Sequence, residues 1–327
     1  MNTNPMNILR KYFCLIMVAS LFMLQTTGCK NQNKTNEKTG VSENVASSEQ
    51  LYKSAVFTAP SEFPSGIEGP AVSADGILYA VNFEKPGTIG QVNAEGKASL
   101  FVTLPDGSIG NGIRFTSKGD MLIADYTKHN ILKVDMRTKE ISVFAHNGAM
   151  NQPNDLAIMD NDIVFASDPD WKNSKGQLWR VDTQGKFTLL EADMGTTNGV
   201  EVSPDNKTLY VNESVQRNVW AYDLSTDGAI SNKRLLLKFD DFGMDGMRTD
   251  SKGNLFITRH GKGTIVKVSP EGNILEEIVL LGKTPSNIAF GGKMGTTAYL
   301  TLQDNGNIET FKSMYPGRAY QMKHGGN

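Results

Sequence analysis

The sequence predicts an all-β fold, a six-bladed β-propeller whose ring is closed by an N-terminal strand. One pattern occurs six times: a polar residue, a short apolar run, a turn built on Gly or Asp, and a second apolar run. The six segments open with spacings of 43, 43, 44, 47 and 42 residues, at Glu68, Asn111, Asn154, Asn198, Asp245 and Asn287. A period of roughly 40–50 residues is that of a four-stranded propeller blade. No window of helical length keeps a period of 3.6 residues, which argues against an α/β fold.

Residues 1–28 have the features of a bacterial lipoprotein signal peptide. Arg10 and Lys11 form a basic start, an apolar run follows from Tyr12 to Leu24, and the segment ends at Gly28-Cys29. We therefore expect Cys29 to be lipidated and the protein to be anchored at the cell envelope, on a periplasmic or extracytoplasmic face. An uncleaved membrane anchor is the alternative, although the apolar run is short for a bilayer span.

Residues 29–50 are expected to form a flexible tether, and residues 51–327 the propeller. The tether is rich in Asn, Lys, Thr, Ser and Glu and has too few apolar residues to build a core. The only cysteines are Cys14 and Cys29, both before the expected propeller. This excludes disulfides and thiol catalysis in the folded domain.

Charge and motif content narrow the function further. The chain has 33 Lys and Arg against 35 Asp and Glu, without a basic stripe, which argues against a nucleic-acid partner. It also lacks G-x-S-x-G, H-E-x-x-H and G-x-x-x-x-G-K-[ST] motifs, so serine hydrolases, zinc proteases and nucleotide enzymes have no support. We expect a monomer that acts on a small molecule.

The strands follow from alternating patterns between turns. In the second repeat a strand from Asn111 precedes a Ser-Lys-Gly-Asp turn, and strands at 121–124, 131–135 and 141–145 follow. The fifth repeat has the same order, with strands at 255–258, 264–268 and 274–279. The sixth has no fourth strand before the loop-like Pro316-Gly317-Arg318. Residues 54–58 have no blade of their own, so we expect them to complete the sixth blade and remove its exposed edge.

The residue that opens each repeat should begin an innermost strand, so the six side chains should converge on the axis of the ring. Each offers a carboxylate or amide oxygen, which are ligands that calcium prefers. A single Asn at such a position is ordinarily a turn or cap residue. Four oxygen ligands in the same phase of successive repeats favour a metal site instead.

The ends of the second strands should surround the mouth on the same face as this ring. The residues expected there are Asn82, Asp125, Asp168, Glu213, Arg259, His260 and Gln303. His260 is either a hydrogen-bonded wall residue or a proton shuttle. Arg248 and Arg259 either clamp an anionic substrate or form internal ion pairs. Trp171 is the one tryptophan expected on the mouth side.

Four motifs resemble those of the regucalcin (senescence marker protein)/gluconolactonase/LRE-like family, whose relatives include diisopropylfluorophosphatase and paraoxonase. They are Ile67-Glu68-Gly69-Pro70, residues 152–156 (QPNDL), residues 197–214 (TNGVEVSPDNKTLYVNES), and Asp245-Gly246-Met247 followed by GNLFITRHGKG. They occur in the family's order and at blade spacing, and the resemblance covers nearly all of residues 54–311.

The resemblance implies a six-bladed propeller with a divalent cation in its channel, usually calcium. Glu68, Asn154, Asn198 and Asp245 stand at the positions of the family's metal ligands, although some members use the equivalent of Asn154 on the substrate. Asn111 is not assigned by this match, and neither is Asn287.

These residues predict a metal-dependent lactonase or esterase of the gluconolactonase type. A calcium-type ion (alternatively Mg²⁺, Mn²⁺ or Zn²⁺) can polarise a carbonyl, and Asp245 can serve as general base or nucleophile. The candidate substrate-binding residues are Asn111, Asp155, Arg259, His260 and Asn287. Asp155 and His260 are also the alternative bases. A non-enzymatic binding propeller at the cell envelope, a phosphotriesterase and an isomerase are the competing functions.

Overall fold

The computed structural model describes residues 51–324. The expected signal peptide, the tether and the lipidation site Cys29 lie outside the described residues. Within residues 51–324, no helix has both the length and the apolar character that a membrane span requires.

The described chain forms six four-stranded antiparallel sheets, each a blade of the expected propeller. A short strand, β1 (Ala55–Val56), precedes them. The first blade comprises β2 (Glu68–Val72), β3 (Leu78–Val81), β4 (Thr88–Val92) and β5 (Ala98–Thr103). The second comprises β6 (Gly110–Phe115), β7 (Met121–Asp125), β8 (Asn130–Val134) and β9 (Ile141–His146). The third comprises β10 (Leu156–Ile158), β11 (Val164–Asp168), β12 (Gly176–Val181) and β13 (Phe187–Met194).

The remaining three blades continue the pattern. The fourth comprises β14 (Thr197–Val202), β15 (Thr208–Glu213), β16 (Asn218–Leu224) and β17 (Ile230–Lys238). The fifth comprises β18 (Met247–Thr249), β19 (Leu255–Arg259), β20 (Thr264–Val268) and β21 (Ile274–Val279). The sixth has three of its strands at the C-terminal end, β22 (Pro285–Gly291), β23 (Thr297–Leu302) and β24 (Asn307–Lys312).

The N-terminal strand supplies the outer strand of the sixth blade, which confirms the predicted closure. β1 pairs with β24 in antiparallel register, Ala55 opposite Thr310. The backbone N–H of Phe57 donates to Ile308 O across 2.9 Å, and its ring meets Tyr299 edge-on at 5.2 Å between centroids. The strand is shorter than the predicted 54–58, but the segment beyond it still covers the blade edge.

The apolar core lies between neighbouring blades, because each strand presents alternate side chains to the sheets on either side. Tyr79 of the first blade packs edge-on against Phe101, at 4.9 Å, and against Phe115 of the second blade, at 5.9 Å. Another cluster joins the first blade to the sixth through Phe63, Ile67 and Ile308. The seam where the ring closes is therefore packed like the others.

The C-terminal segment corrects one expectation. Arg318, predicted to lie in a loop, begins the helix α1 (Arg318–His324). Its buried guanidinium donates to Ile158 O at 2.9 Å, Ser203 O at 3.1 Å and Asp160 Oδ1 at 2.7 Å. These tertiary bonds fix the start of a helix too short to be stable alone, and the sequence pattern gives no sign of them.

Candidate functional site

The four predicted metal ligands come together in one cavity of about 380 Å³. Glu68 is the first residue of β2 and Asn198 the second of β14, while Asn154 and Asp245 each lie two residues before an inner strand. Glu68, Asn154 and Asn198 are buried, and Asp245 is half-buried. The equal phase of the repeats therefore places four oxygen side chains around the axis of the ring.

Two of these side chains have buried oxygens without a protein partner. Asn154 Oδ1 and Asn198 Oδ1 are inaccessible to solvent and accept no hydrogen bond from any residue in 51–324. Leaving a buried amide oxygen unpaired costs roughly 1–3 kcal/mol. Side chains of this type, together with two carboxylates, form the donor set of a hard cation. The described residues thus fit a cation in this cavity.

Without a cation, the surroundings of Glu68 and Asp245 disfavour the ionised form of both carboxylates. Burial, then the charge of Asp155, raises the pKa of Glu68 to about 7, although Gly69 N–H and Asn287 donate to the carboxylate and oppose the rise. Burial, then the charge of Glu68, raises the pKa of Asp245 well above its usual value. Residues 51–324 contain no group of three or more His, Cys, Asp and Glu side chains able to hold a metal. A cation here would need the amide oxygens as well.

Asn111, Asn287 and His260 also reach the site. Asn111 and His260 line the cavity, and the Asn111 side chain donates to Asn154 O across 3.2 Å. Asn287 Nδ2 donates to Glu68 Oε2 across 3.1 Å. His260 Nε2 lies 3.2 Å from Gln303 Oε1. The amides brace the inner ring, whereas the imidazole lies at its mouth.

The glycines that follow the ring residues allow the strands to approach the axis. A Cβ on Gly69, whose φ is +56°, would lie 2.0 Å from Asn111 O. A Cβ on Gly246 would lie 2.0 Å from the Asn287 side chain. Any larger residue would displace the neighbouring ring member.

A family whose description is "SMP-30/Gluconolactonase/LRE-like region" matches residues 47–304. The chain belongs to this family. Gluconolactonase of Zymomonas mobilis is 32% identical over 221 residues, 60% of this chain and 61% of that protein. Regucalcin of Xenopus laevis is 34% identical over 252 residues, 61% of this chain and 84% of that protein. The match to the Zymomonas protein thus spans about three fifths of its length.

Solved structures show the same fold. The crystal structure of a calcium-binding protein, regucalcin, from Agrobacterium tumefaciens superposes with a TM-score of 0.66, covering 80% of this chain and 98% of that one. Its sequence identity of 19% means that the likeness supports the fold alone. The propeller fold of this chain is therefore similar to that of the Agrobacterium protein.

In this chain Asp155 does not line the cavity. It forms ion pairs with two arginines instead. Arg114 Nη1 lies 3.2 Å from Asp155 Oδ1, and Arg248 Nη1 lies 3.2 Å from Oδ2. Although burial opposes ionisation, the two guanidinium groups lower the pKa of Asp155. Arg248 thus forms an internal ion pair, one of the two possibilities left open by the sequence. Arg114 was not among the candidates, because its partner lies 41 residues away, in the next blade.

Arg259 is not brought to the cavity. Its guanidinium carbon lies 3.6 Å from the centroid of the Phe239 ring, and Nη2 donates to Asp241 Oδ1 across 2.7 Å. The side chain is 1% exposed. Arg259 ends the second strand of the fifth blade, as the pattern predicted. Its side chain is held away from the cavity by stacking on Phe239 and by the ion pair with Asp241.

The predicted mouth residues divide into two groups. Asn82, His260 and Gln303 line the cavity, as does Trp171. Asp168 instead accepts from the backbone N–H groups of Asn151 and Gln152. Asp125 and Glu213 likewise accept from backbone N–H groups, so all three brace loops. A carboxylate at a strand end is within reach of the preceding loop, and the sequence does not reveal which partner it takes.

Tyr126, Ser214 and Met244 also line the cavity and were missed. Tyr126 and Ser214 follow directly after the second strands of their blades. The repeat pattern could have identified both, since each follows a residue, Asp125 or Glu213, that was predicted at the mouth. Met244 precedes Asp245 and carried no polar signal.

Proposed function

We propose that this protein hydrolyses a lactone or a related ester, in the manner of a gluconolactonase, with a divalent cation of the calcium type. The observation that carries the proposal is the cavity in which two carboxylates meet two buried amide oxygens that lack partners. The names of the relatives, gluconolactonase and regucalcin, support it. So does the description of the Agrobacterium regucalcin as calcium-binding.

The residues that would hold the cation are Glu68, Asn154, Asn198 and Asp245. Bound there, the cation would polarise the substrate carbonyl and leave coordination positions open. Asn287 would keep the Glu68 carboxylate oriented through the bond at 3.1 Å. Mg²⁺, Mn²⁺ and Zn²⁺ are alternative occupants of the same oxygens.

Asp245 is the proposed general base. Its carboxylate would take a proton as water oxygen attacks the carbonyl carbon, and would return it to the ring oxygen as the carbon–oxygen bond breaks. The product is a hydroxy acid. Direct attack by the Asp245 carboxylate, followed by hydrolysis of the acyl intermediate, gives the same product.

The wall of the cavity favours an uncharged, hydroxylated substrate. Asn82, Asn111, His260 and Gln303 offer hydrogen-bonding groups, and Trp171, which is 45% exposed, offers an apolar surface. The lining that the structure describes includes no Lys or Arg. A sugar lactone matches this wall better than an anionic ester does.

A panel of sugar lactones, aliphatic lactones and aryl esters tests the proposal, assayed with and without chelator. We expect turnover of a sugar lactone that chelation abolishes and calcium restores. Turnover that chelation leaves unchanged would contradict the metal role. No turnover of any substrate by calcium-loaded protein would favour the competing function, a propeller that binds a ligand or protein without hydrolysis.

We further propose that the protein is anchored to the cell envelope through lipidated Cys29. The supporting observation is the basic and apolar segment that ends at Gly28-Cys29. Metabolic lipid labelling should mark the wild-type chain and not Cys29→Ala. Label that persists on the variant would point to a different anchor.

A further inference from the structure

A second cavity, of about 340 Å³, lies at the far end of the inner strands. Asn111 lines the first cavity, whereas Phe115, four residues further along β6, lines this one. At about 3.3 Å per residue, those two strand positions are roughly 13 Å apart. Helix α1 covers part of the opening through Ala319 and Met322. The two cavities therefore lie on opposite faces of the propeller.

The second cavity combines apolar walls with a charged floor. Ile113, Phe115, Ile158 and Phe290 form part of the walls. Arg114, Arg248 and Glu201 lie at the floor and are all buried. Its volume is near the lower limit of the roughly 300–1,000 Å³ typical of small-molecule sites.

The charged side chains at this floor form one network of ion pairs. Three arginines, Arg114, Arg248 and Arg318, face two buried carboxylates, Asp155 and Glu201. The remaining acid, Asp160, pairs with Arg318 at 2.7 Å, but its side chain is 54% exposed and is screened by water. With Asp160 included, three arginines face three acids, so the charges of this network balance.

One guanidinium nitrogen at the floor has no partner. Arg248 is 8% exposed, and its Nη2 is buried without a hydrogen bond to any described residue. The nearest acid other than Asp155 is Glu201, whose Oε2 lies 3.8 Å from Arg248 Nε and 3.8 Å from Arg114 Nη2. Those separations exceed hydrogen-bond distance, so N–H donors remain for an incoming acceptor.

We propose that this second cavity binds a small aliphatic monocarboxylate. Its carboxylate would accept from Arg248 Nη2, the guanidinium nitrogen without a partner, since guanidinium and carboxylate groups form strong charge-assisted hydrogen bonds. Its hydrocarbon tail would lie between Phe115 and Phe290. A polyhydroxylated acid does not suit these walls, because its hydroxyl groups would lose water without gaining partners. The site is separate from the proposed lactonase centre.

Hexanoate is a suitable probe, with 1-hexanol and gluconate as controls for the carboxylate and for the apolar tail. We expect the full chain, labelled at isoleucine methyl groups, to bind hexanoate with a Kd of about 1 mM or tighter. The resonances of Ile113 and Ile158 should shift, while those of Ile131 and Ile265, in strands away from the cavity, should not. The alcohol and gluconate should leave all four unchanged.

Arg248→Lys tests the role of the unpartnered nitrogen, because it keeps the positive charge beside Asp155 and removes the guanidinium fork. We expect the affinity for hexanoate to fall by about tenfold or more. Arg180→Lys is the matched control. Arg180 Nε is also buried without a partner, but the side chain lies outside the cavity, so affinity should be unchanged.

Three results would overturn the proposal. They are the absence of any methyl shift at saturating hexanoate, equal shifts with 1-hexanol, and shifts confined to isoleucines outside the cavity. If Arg248→Lys does not fold, the methyl shifts of the unsubstituted protein decide alone. None of these results depends on whether the other cavity hydrolyses lactones.

Discussion

Asn287 donates a hydrogen bond to the Glu68 carboxylate across 3.1 Å, although the two residues are 219 positions apart in the chain. Glu68 opens the first blade and Asn287 the sixth, and the contact exists because the ring closes. The same Asn287 side chain lies 2.0 Å from where a Cβ on Gly246 would be. Closure of the propeller and orientation of a proposed metal ligand are therefore coupled.

Asn287→Ala should weaken binding of the cation by about tenfold to 100-fold, the usual effect of losing a group that orients a ligand. The substitution leaves Glu68 in place but removes its side-chain donor. Isothermal titration of chelator-treated protein with calcium measures the change. Asn273→Ala, in an outer turn of the fifth blade, is the control. Equal affinities in the two variants would contradict the orienting role.

Asp245→Asn should lower hydrolysis by about 100-fold to 10,000-fold, the range expected for loss of a general base. The amide keeps an oxygen for the cation but can neither accept the proton nor attack the carbonyl. Calcium should still bind, with reduced affinity. Asn198→Asp is the matched variant, since it adds charge at the ring and should tighten binding without creating a better base.

Full activity in Asp245→Asn with calcium bound would show that another group is the base. His260 is then the first alternative, since it lines the same cavity. Asp155 is a poorer one, since both of its oxygens are engaged by arginines.

Deletion of residues 54–58 should lower the free energy of unfolding of the whole domain, by about 3 kcal/mol or more. The deletion removes Phe57, with its contact to Tyr299, and the pairing to β24. Truncation of a fully buried Phe costs about 3–5 kcal/mol; Phe57 is partly buried, and the loss of the strand pairing and of buried Thr58 adds to its smaller share. Urea unfolding measures the change.

Val56→Ala is the control for this deletion, because Val56 is 51% exposed and its backbone pairing is retained. Its stability should be close to that of the wild type. A deletion variant as stable as the control would show that the sixth blade does not need the N-terminal segment.

Chelator-treated protein should lose stability as the pH rises from about 4.5 to about 7, the range between the ordinary pKa of a glutamic acid and that of Glu68 in the fold. Over this range the unfolded chain releases the proton while the folded chain retains it, so each rise in pH favours unfolding. Thermal melts across the pH series measure the effect. Glu68→Gln, which cannot ionise, should reduce the dependence and leave the part that Asp245, whose pKa is also raised, contributes. An unchanged slope in this variant would assign the whole dependence to other groups.

Repeat spacing was enough to predict the propeller. The phase of the repeats also placed Glu68, Asn154, Asn198 and Asp245 in one cavity, because the innermost strands of the blades begin around the axis of the ring. N-terminal closure followed from the missing fourth strand of the sixth blade. These features follow from local patterns that repeat at a fixed period, and a single sequence is enough to detect such patterns.

The sequence did not predict which side chains from different blades would form ion pairs and hydrogen bonds with one another. At one strand end His260 lines the cavity, whereas its neighbour Arg259 is buried and stacked on Phe239. Alternation predicts that neighbours point to opposite sides, but not which of the two faces the cavity. Asp155 became the shared partner of Arg114 and Arg248, 41 and 93 residues away. Arg318 fixed a helix where a loop was expected. Each outcome depends on which groups the closed ring brings within bonding distance, because a buried charge without a partner is strongly destabilising.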